Sequence, residues 1–256
     1  MELWDMQEFR HLEVIGSDLP VPTSDTACLP NLLTLVGISG HSCTKEVLGR
    51  IPHLKKLGIQ IKLAPAAAKL LCCFDHLAHL HQLESLKCFI LNPSPRLQVI
   101  VPPLSILIFP PNLKKLTLSG LVFPWKYMRS IAQLPSLEVL KLQSYAFQGR
   151  KWRTYEGECL QLKFLLLEDT NVRYWSADSD SFHSLDCLII RHCYKCKRIP
   201  WVFRFVGMIE LVDCDASLVA HVMRMRHYRQ RFEEGTIEVC IRASLQALYV
   251  ILVGTM

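Results

Sequence analysis

Residues 134–144 read LPSLEVLKLQS, and the spacing of their four leucines returns along most of the chain. With Leu140 as anchor, apolar residues stand at −6, −3 and +2. The same frame fits MQEFRHLEV about Leu12, IPHLKKLGI about Leu57, PNLKKLTL about Leu116 and CLQLKFLLL about Leu165. It fits FHSLDCLII about Leu188 and FRFVGMIEL about Ile209, with looser copies at Leu35 and Leu86. At Leu35 the last apolar position is taken by Gly37. Successive anchors are 23, 22, 29, 30, 24, 25, 23 and 21 residues apart. An anchor and its +2 partner lie on one face of a short strand, and the −3 and −6 residues enter from the preceding turn. One such unit cannot bury its own apolar side, so units must stack and share a core.

This is the pattern L-x-x-L-x-L-x-x-N/C of leucine-rich repeats, and Cys193 and Cys214 occupy its ladder position five after the anchor. The expected fold is α/β: a leucine-rich-repeat solenoid, or horseshoe, with a mostly parallel strand ladder and an irregular or helical convex side. Strands are predicted near residues 12, 35, 57, 86, 116, 140, 165, 188 and 209. Residues 1–235 form one domain of about nine repeats, and 236–256 add a strand-like segment and an apolar tail. Residues 65–80 space their apolar side chains as an amphipathic helix, with Pro65 at its start. Residues 124–134 are a shorter helical candidate. Six prolines between 92 and 111 instead predict an irregular insertion.

Half of the 256 residues are hydrophobic, enough for a sizeable core. A net charge of +6 suits an acidic partner without selecting nucleic acid. The eleven cysteines have no framework spacing, the start MELWDMQEFR has no secretory pattern, and Pro93 spoils the glycosylation candidate at Asn92. These features predict a reducing, cytoplasmic setting. No run approaches the roughly 20 apolar residues of a membrane span, so stable insertion is not expected.

Little in the chain points to catalysis. Cys193-x-x-Cys196, with His192, Cys187 and Cys214 nearby, invites a zinc reading, yet the second paired half of a structural site is missing. No metal is expected. GISGH fails the G-x-S-x-G elbow at His41, and no HExxH occurs. His76, His79 and His81 read as surface residues of a helix. No glycine precedes a lysine, so the phosphate-cradling G-x-x-x-x-G-K-[ST] loop is absent. The chain reads as non-enzymatic. In 217–232, Leu218, Val219, Val222 and Met225 form an apolar stripe, with Arg224, Arg226, Arg229 and Arg231 towards one end. A helix capping the array explains both features; the competing reading is a basic helix for an anionic surface.

LPNLLTLVGIS, FPPNLKKLTLSG, LPSLEVLKLQSYAFQGRKW and FHSLDCLIIRHCYKCKRIP resemble the leucine-rich-repeat region of plant coiled-coil nucleotide-binding immune receptors, late-blight-resistance-like class. The resemblance runs from residue 1 to about 242. It implies a recognition and autoregulatory role in defence, with a pathogen effector or a guarded host protein as partner, and the receptor's own switch domain as a second. The family's ADP/ATP site lies in a nucleotide-binding domain outside this chain, so no cofactor is expected here. The contrasting expectation is an F-box-like adaptor that uses such repeats to recognise substrates.

Side-chain alternation places the −1, +1, +3 and +4 residues on the concave side. The partner-binding candidates are therefore Lys87, Phe89, Thr117, Ser119, Lys141, Gln143, Phe164, Leu166, Glu168, Ile189 and Arg191. Phe164, Leu166 and Ile189 are expected to be exposed there, and exposed apolar residues rimmed by charge mark interaction surfaces.

Overall fold

A computed structural model describes residues 3–22, 28–62, 74, 76–91, 108–232 and 235–243. Among the described residues the chain is α/β, with a long run of parallel strands and few helices. It divides into two compact units, one from residues up to Phe123 with Leu134–Leu137, the other from Pro124–Gln133 and Glu138 onward.

The first unit holds β1 (His11–Glu13), β2 (Thr34–Ser39), the short helix α1 (Lys45–Leu48), β3 (Lys56–Lys62), β4 (Ser85–Leu91) and β5 (Lys115–Ser119). Its strands pair in chain order and in parallel, and their register sets Leu12, Leu35, Leu57, Leu86 and Leu116 side by side. Leu57, Ile59, Leu86, Cys88, Leu116 and Leu118 are buried, as are the entering residues Leu54, Leu83 and Leu113. Anchor, +2 and −3 residues thus share one core. At the β1 end the wedge is only partly covered, and Phe9 is 42% exposed.

Gly37 breaks the frame for a physical reason. It has φ +79°, and the β2–β3 register shifts between Leu35 and Ile38. The extra residue lets Ile38 take the inward place opposite Ile59, with no exposed surface left. A Cβ at position 37 would lie 1.8 Å from the carbonyl oxygen of Val14, so only glycine fits.

After the boundary strand β6 (Phe123–Pro124) come α2 (Met128–Ala132), β7 (Val139–Gln143), β8 (Phe147–Gln148), β9 (Lys151–Thr154), β10 (Phe164–Glu168) and β11 (Tyr174–Ala177). The second unit continues with β12 (Cys187–Arg191), β13 (Met208–Val212), α3 (Ala216–Phe232) and β14 (Glu238–Arg242). Its part of the sheet runs β7-β10-β12-β13-β14, all parallel, and aligns Leu140, Leu165, Leu188, Ile209 and Val239. All nine anchors read from the sequence therefore lie in strands. Val239 is a tenth, in the segment expected to be strand-like.

One turn recurs after these strands. The residue at +4 is left-handed in Ser144, Asp169, His192 and Asp213, at φ between 48° and 53°. Gly16 and Gly120 hold the same position in the first unit. After the kink, Thr170 and Cys193 are buried and Cys214 is half-buried, and the two thiols meet carbonyls at the strand ends, two of which also accept backbone amides. The Cys193 thiol lies 3.2 Å from the Arg191 carbonyl, and that of Cys214 lies 3.4 Å from the carbonyls of Ile190 and Val212. Thr170 Oγ1 sits 3.5 Å from the Cys193 sulfur. Burial pushes the Cys214 thiol up to about 11 and that of Cys196, whose Sγ meets the Arg198 carbonyl, up to about 12. These cysteines are structural. Iodoacetamide at pH 8 is expected to spare Cys193 and Cys196 in the native protein and to label both in denaturant, because the thiolate is the nucleophile. Native labelling at the denatured rate, read by peptide mass spectrometry, would contradict this.

The outer side of the second unit is aromatic rather than helical. Trp125, Trp152 and Trp175 stack with centroids 4.6 and 4.3 Å apart and planes within 12°. Phe182 meets Trp152 and Trp175 edge-on. The parallel pair β9–β11 fixes this register by setting Trp152 beside Trp175. The candidate at 124–134 is a 3-10 turn running into α2. In the 65–80 candidate, residues 65–73 and 75 lie outside the described residues, and Leu77–His79 is a 3-10 turn. Most of the proline-rich insertion and the tail from residue 244 also lie outside them. Helix α3 buries Leu218, Val222 and Met225 as the stripe requires. Arg229 donates to the carbonyls of Arg204 and Val206, which ties the helix to the turn before β13.

Candidate partner-binding face

The alternation that sends anchors inward turns the +1 and +3 side chains to the opposite face of each sheet. In the first unit, register places Lys87 beside Thr117 and Phe89 beside Ser119. The Lys87 ammonium lies 5.2 Å from the Phe89 ring centroid, and Phe89, Thr117 and Ser119 are half-buried. This part offers a cation, two hydroxyls and one aromatic face.

The second unit is richer. Register forms the row Lys141, Leu166, Ile189, Glu210, Cys240, and the row Glu168, Arg191, Val212, Arg242. Gln143 joins the latter through a hydrogen bond from its side-chain amide to Glu168. Phe164 is half-buried, with the Lys141 ammonium 5.5 Å from its ring centroid. Leu166 and Ile189, however, are only 5% and 8% exposed, which corrects the expectation of an open apolar patch. Strands about 4.8 Å apart hold same-face side chains in contact. The Leu166–Ile189 pair is therefore flanked by Lys141 and Glu210 along its row, and by Phe164, Glu168 and Arg191 across it. What this face presents is polar, over an apolar floor.

Charges on it are fixed by one another. Arg191 donates to Glu210 at 3.3 Å, and the Glu210 side chain is 10% exposed against 37% for Arg191. Beside this pair, the left-handed turn residues form a second row. The His192 ring reaches Asp169 at 3.5 Å through Nδ1 and Asp213 at 3.6 Å through Nε2. Burial holds the Asp169 carboxyl above the usual carboxylate range, with His192 opposing and Glu168 reinforcing the shift. Glu168, Asp169 and His192 bring one ligand atom each within 4.8 Å of one another, a spacing compatible with a cation. Both ring nitrogens already face carboxylates within the cluster. Arg191→Met is expected to destabilise the fold more than Lys141→Met, because it strands the carboxylate of Glu210 without a partner. Equal unfolding midpoints would contradict that coupling.

The structure thus brings Lys141, Gln143, Phe164, Leu166, Glu168, Ile189 and Arg191 onto one face, and Lys87, Phe89, Thr117 and Ser119 onto the face of the other unit. Glu210, Asp169, His192 and Asp213 belong with the former and were missed. The frame could have found them, since Glu210 is +1 from Ile209 and the other three are at +4 from their anchors.

No protein-family model matches the chain. It is 30% identical over 236 residues to a putative late blight resistance protein homolog of Solanum demissum, covering 88% of this chain and 17% of that protein. A second homolog from the same plant is 28% identical over 246 residues, covering 91% of this chain and 18% of that protein. A third is 30% identical over 231 residues, covering 85% and 28%. The chain therefore spans less than a third of the length of these curated relatives.

Proposed function

This chain is a relative of a segment of the late blight resistance protein homologs, and from that premise we propose that it is a recognition and autoregulatory leucine-rich-repeat module of a plant disease-resistance protein. Its strands are the rungs of a solenoid in this reading, and its polar rows are the contact face. The observation that carries the reading is the polar face on which Gln143 holds Glu168 and Arg191 holds Glu210. Such preorganised charge confers specificity on a protein interface more than raw affinity. The partner is a pathogen effector or a guarded host protein, and the same face docks the receptor's switch domain at rest.

The module works in the cytoplasm, without enzymatic activity and without a cofactor of its own. Among the described residues no helix is long and apolar enough to cross a membrane. Calorimetry on the purified chain is expected to register no ADP or ATP binding, because the loop that cradles phosphates is not encoded; stoichiometric binding would contradict this. The function is tested with Lys141→Glu and Phe164→Ser combined in the full-length gene product, expressed in leaves. Loss of the effector response, or activity without effector, is expected at normal protein abundance. An unchanged response together with unchanged resting inactivity would refute the assignment of this face.

A further inference from the structure

The second unit carries another surface besides the rows just described. A groove of about 660 Å³ runs between β11 and the segment that follows β12. Arg173 flanks it on one side, and Lys195, Lys197 and Arg198 on the other. Tyr174 and Tyr194 also line it and are 64% and 63% exposed. Among the described residues no acidic side chain lines it. Of the carboxylates whose charge reaches Tyr194 and Lys197, Asp169 and Asp213 face His192, and Asp215 accepts the amide of Ser217 at 2.8 Å.

One wall of the groove is an open strand edge. Among the described residues the small outer sheet contains only β9 and β11. The Tyr174 amide donates to the Arg150 carbonyl at 2.9 Å, and the Asp178 amide to that of Thr154 at 3.2 Å. Backbone groups alternate along a strand, so those of Tyr174, Ser176 and Asp178 turn towards β9, and those of Trp175 and Ala177 turn the other way. Trp175 lines the groove although its ring is stacked on Trp152 and the residue is 6% exposed. Its indole N–H has no acceptor among the described residues.

From this combination we propose that the groove binds an extended acidic segment of a partner protein, added as a strand to the free edge of β11. Strand addition supplies backbone hydrogen bonds at Trp175 and Ala177, and side chains select the sequence. Alternate residues of the added strand face opposite sides. One set of side chains meets the lysines and arginines as carboxylates, and the other meets the tyrosine rings. The contact is independent of the polar rows, so it stands or falls separately from the function proposed above.

The test titrates the full chain with an end-blocked octapeptide of alternating glutamate and valine, by calorimetry at low and physiological salt. Saturable one-to-one binding that weakens with salt is expected. The variant Lys195→Glu/Lys197→Glu should weaken it at least tenfold, while Arg224→Glu on α3 leaves it unchanged. Both variants change exposed side chains, and their thermal midpoints serve as the folding control. A peptide with proline at every second position keeps the glutamates but cannot pair along the edge, and it should fail to bind. Equal binding of the proline peptide, or no effect of Lys195→Glu/Lys197→Glu, would overturn the proposal. Binding of inorganic tripolyphosphate, an oligouridylate or phosphatidylserine vesicles in place of the octapeptide would also overturn it, by assigning the groove to another anion.

Discussion

Leu140→Ala is expected to lower the unfolding free energy by about 2–5 kcal/mol, the range for truncating a buried leucine without collapse of the cavity. Leu140 has no exposed surface, and its strand neighbour Leu165 and its +2 partner Leu142 are equally enclosed. The next residue along the strand behaves differently. Lys141 is half-buried on the opposite face, tied chiefly by its contact with the Phe164 ring. A cation–π contact of that kind contributes about 0.5–1 kcal/mol, which bounds the cost of Lys141→Ala. Denaturant titration of the two variants separates these outcomes, and equal midpoints would mean that the frame assigns the wrong face.

Gly37→Ala should be the second severe change, although it adds only a methyl group. A left-handed backbone alone costs alanine about 1–2 kcal/mol. The added carbon would also fall 1.8 Å from the Val14 carbonyl oxygen, which belongs to backbone and cannot rotate away. The Val14 amide bonds to the Val36 carbonyl and the Gly16 amide to that of Gly37. Relief therefore requires moving the whole β1 connection off β2. We expect a loss of several kcal/mol, with amide protection lost first in residues 11–16. Wild-type protection in that segment would show that the close approach is not present in solution.

The ladder was legible in the sequence because burial on one face only imposes a strict spacing. A leucine moved by one residue changes face, and chance does not produce nine matching frames. What escaped was set by the third dimension. The Gly37 bulge reads as a missing apolar residue until register shows Ile38 taking its place. Leu166 and Ile189 count as outward by alternation, yet they are only 5% and 8% exposed, side by side in a row between Lys141 and Glu210. The tryptophan stack could not be read either, because Trp152 and Trp175 meet through the β9–β11 register, Trp125 joins them from a 3-10 turn, and no constant spacing links the three. The face itself was half legible: Lys141, Gln143, Glu168 and Arg191 were found by position, while the frame was not carried on to Glu210 and the turn residues at +4.

The parallel register of β7, β10, β12, β13 and β14 underlies the contact face and the cysteine ladder alike. Inter-strand nuclear Overhauser contacts on deuterated protein measure it most directly. Parallel-type contacts are expected to join Leu140 to Leu165, Leu165 to Leu188, Leu188 to Ile209 and Ile209 to Val239, each in register. Antiparallel contacts between these strands, or sequential helical contacts within 139–143, would contradict it.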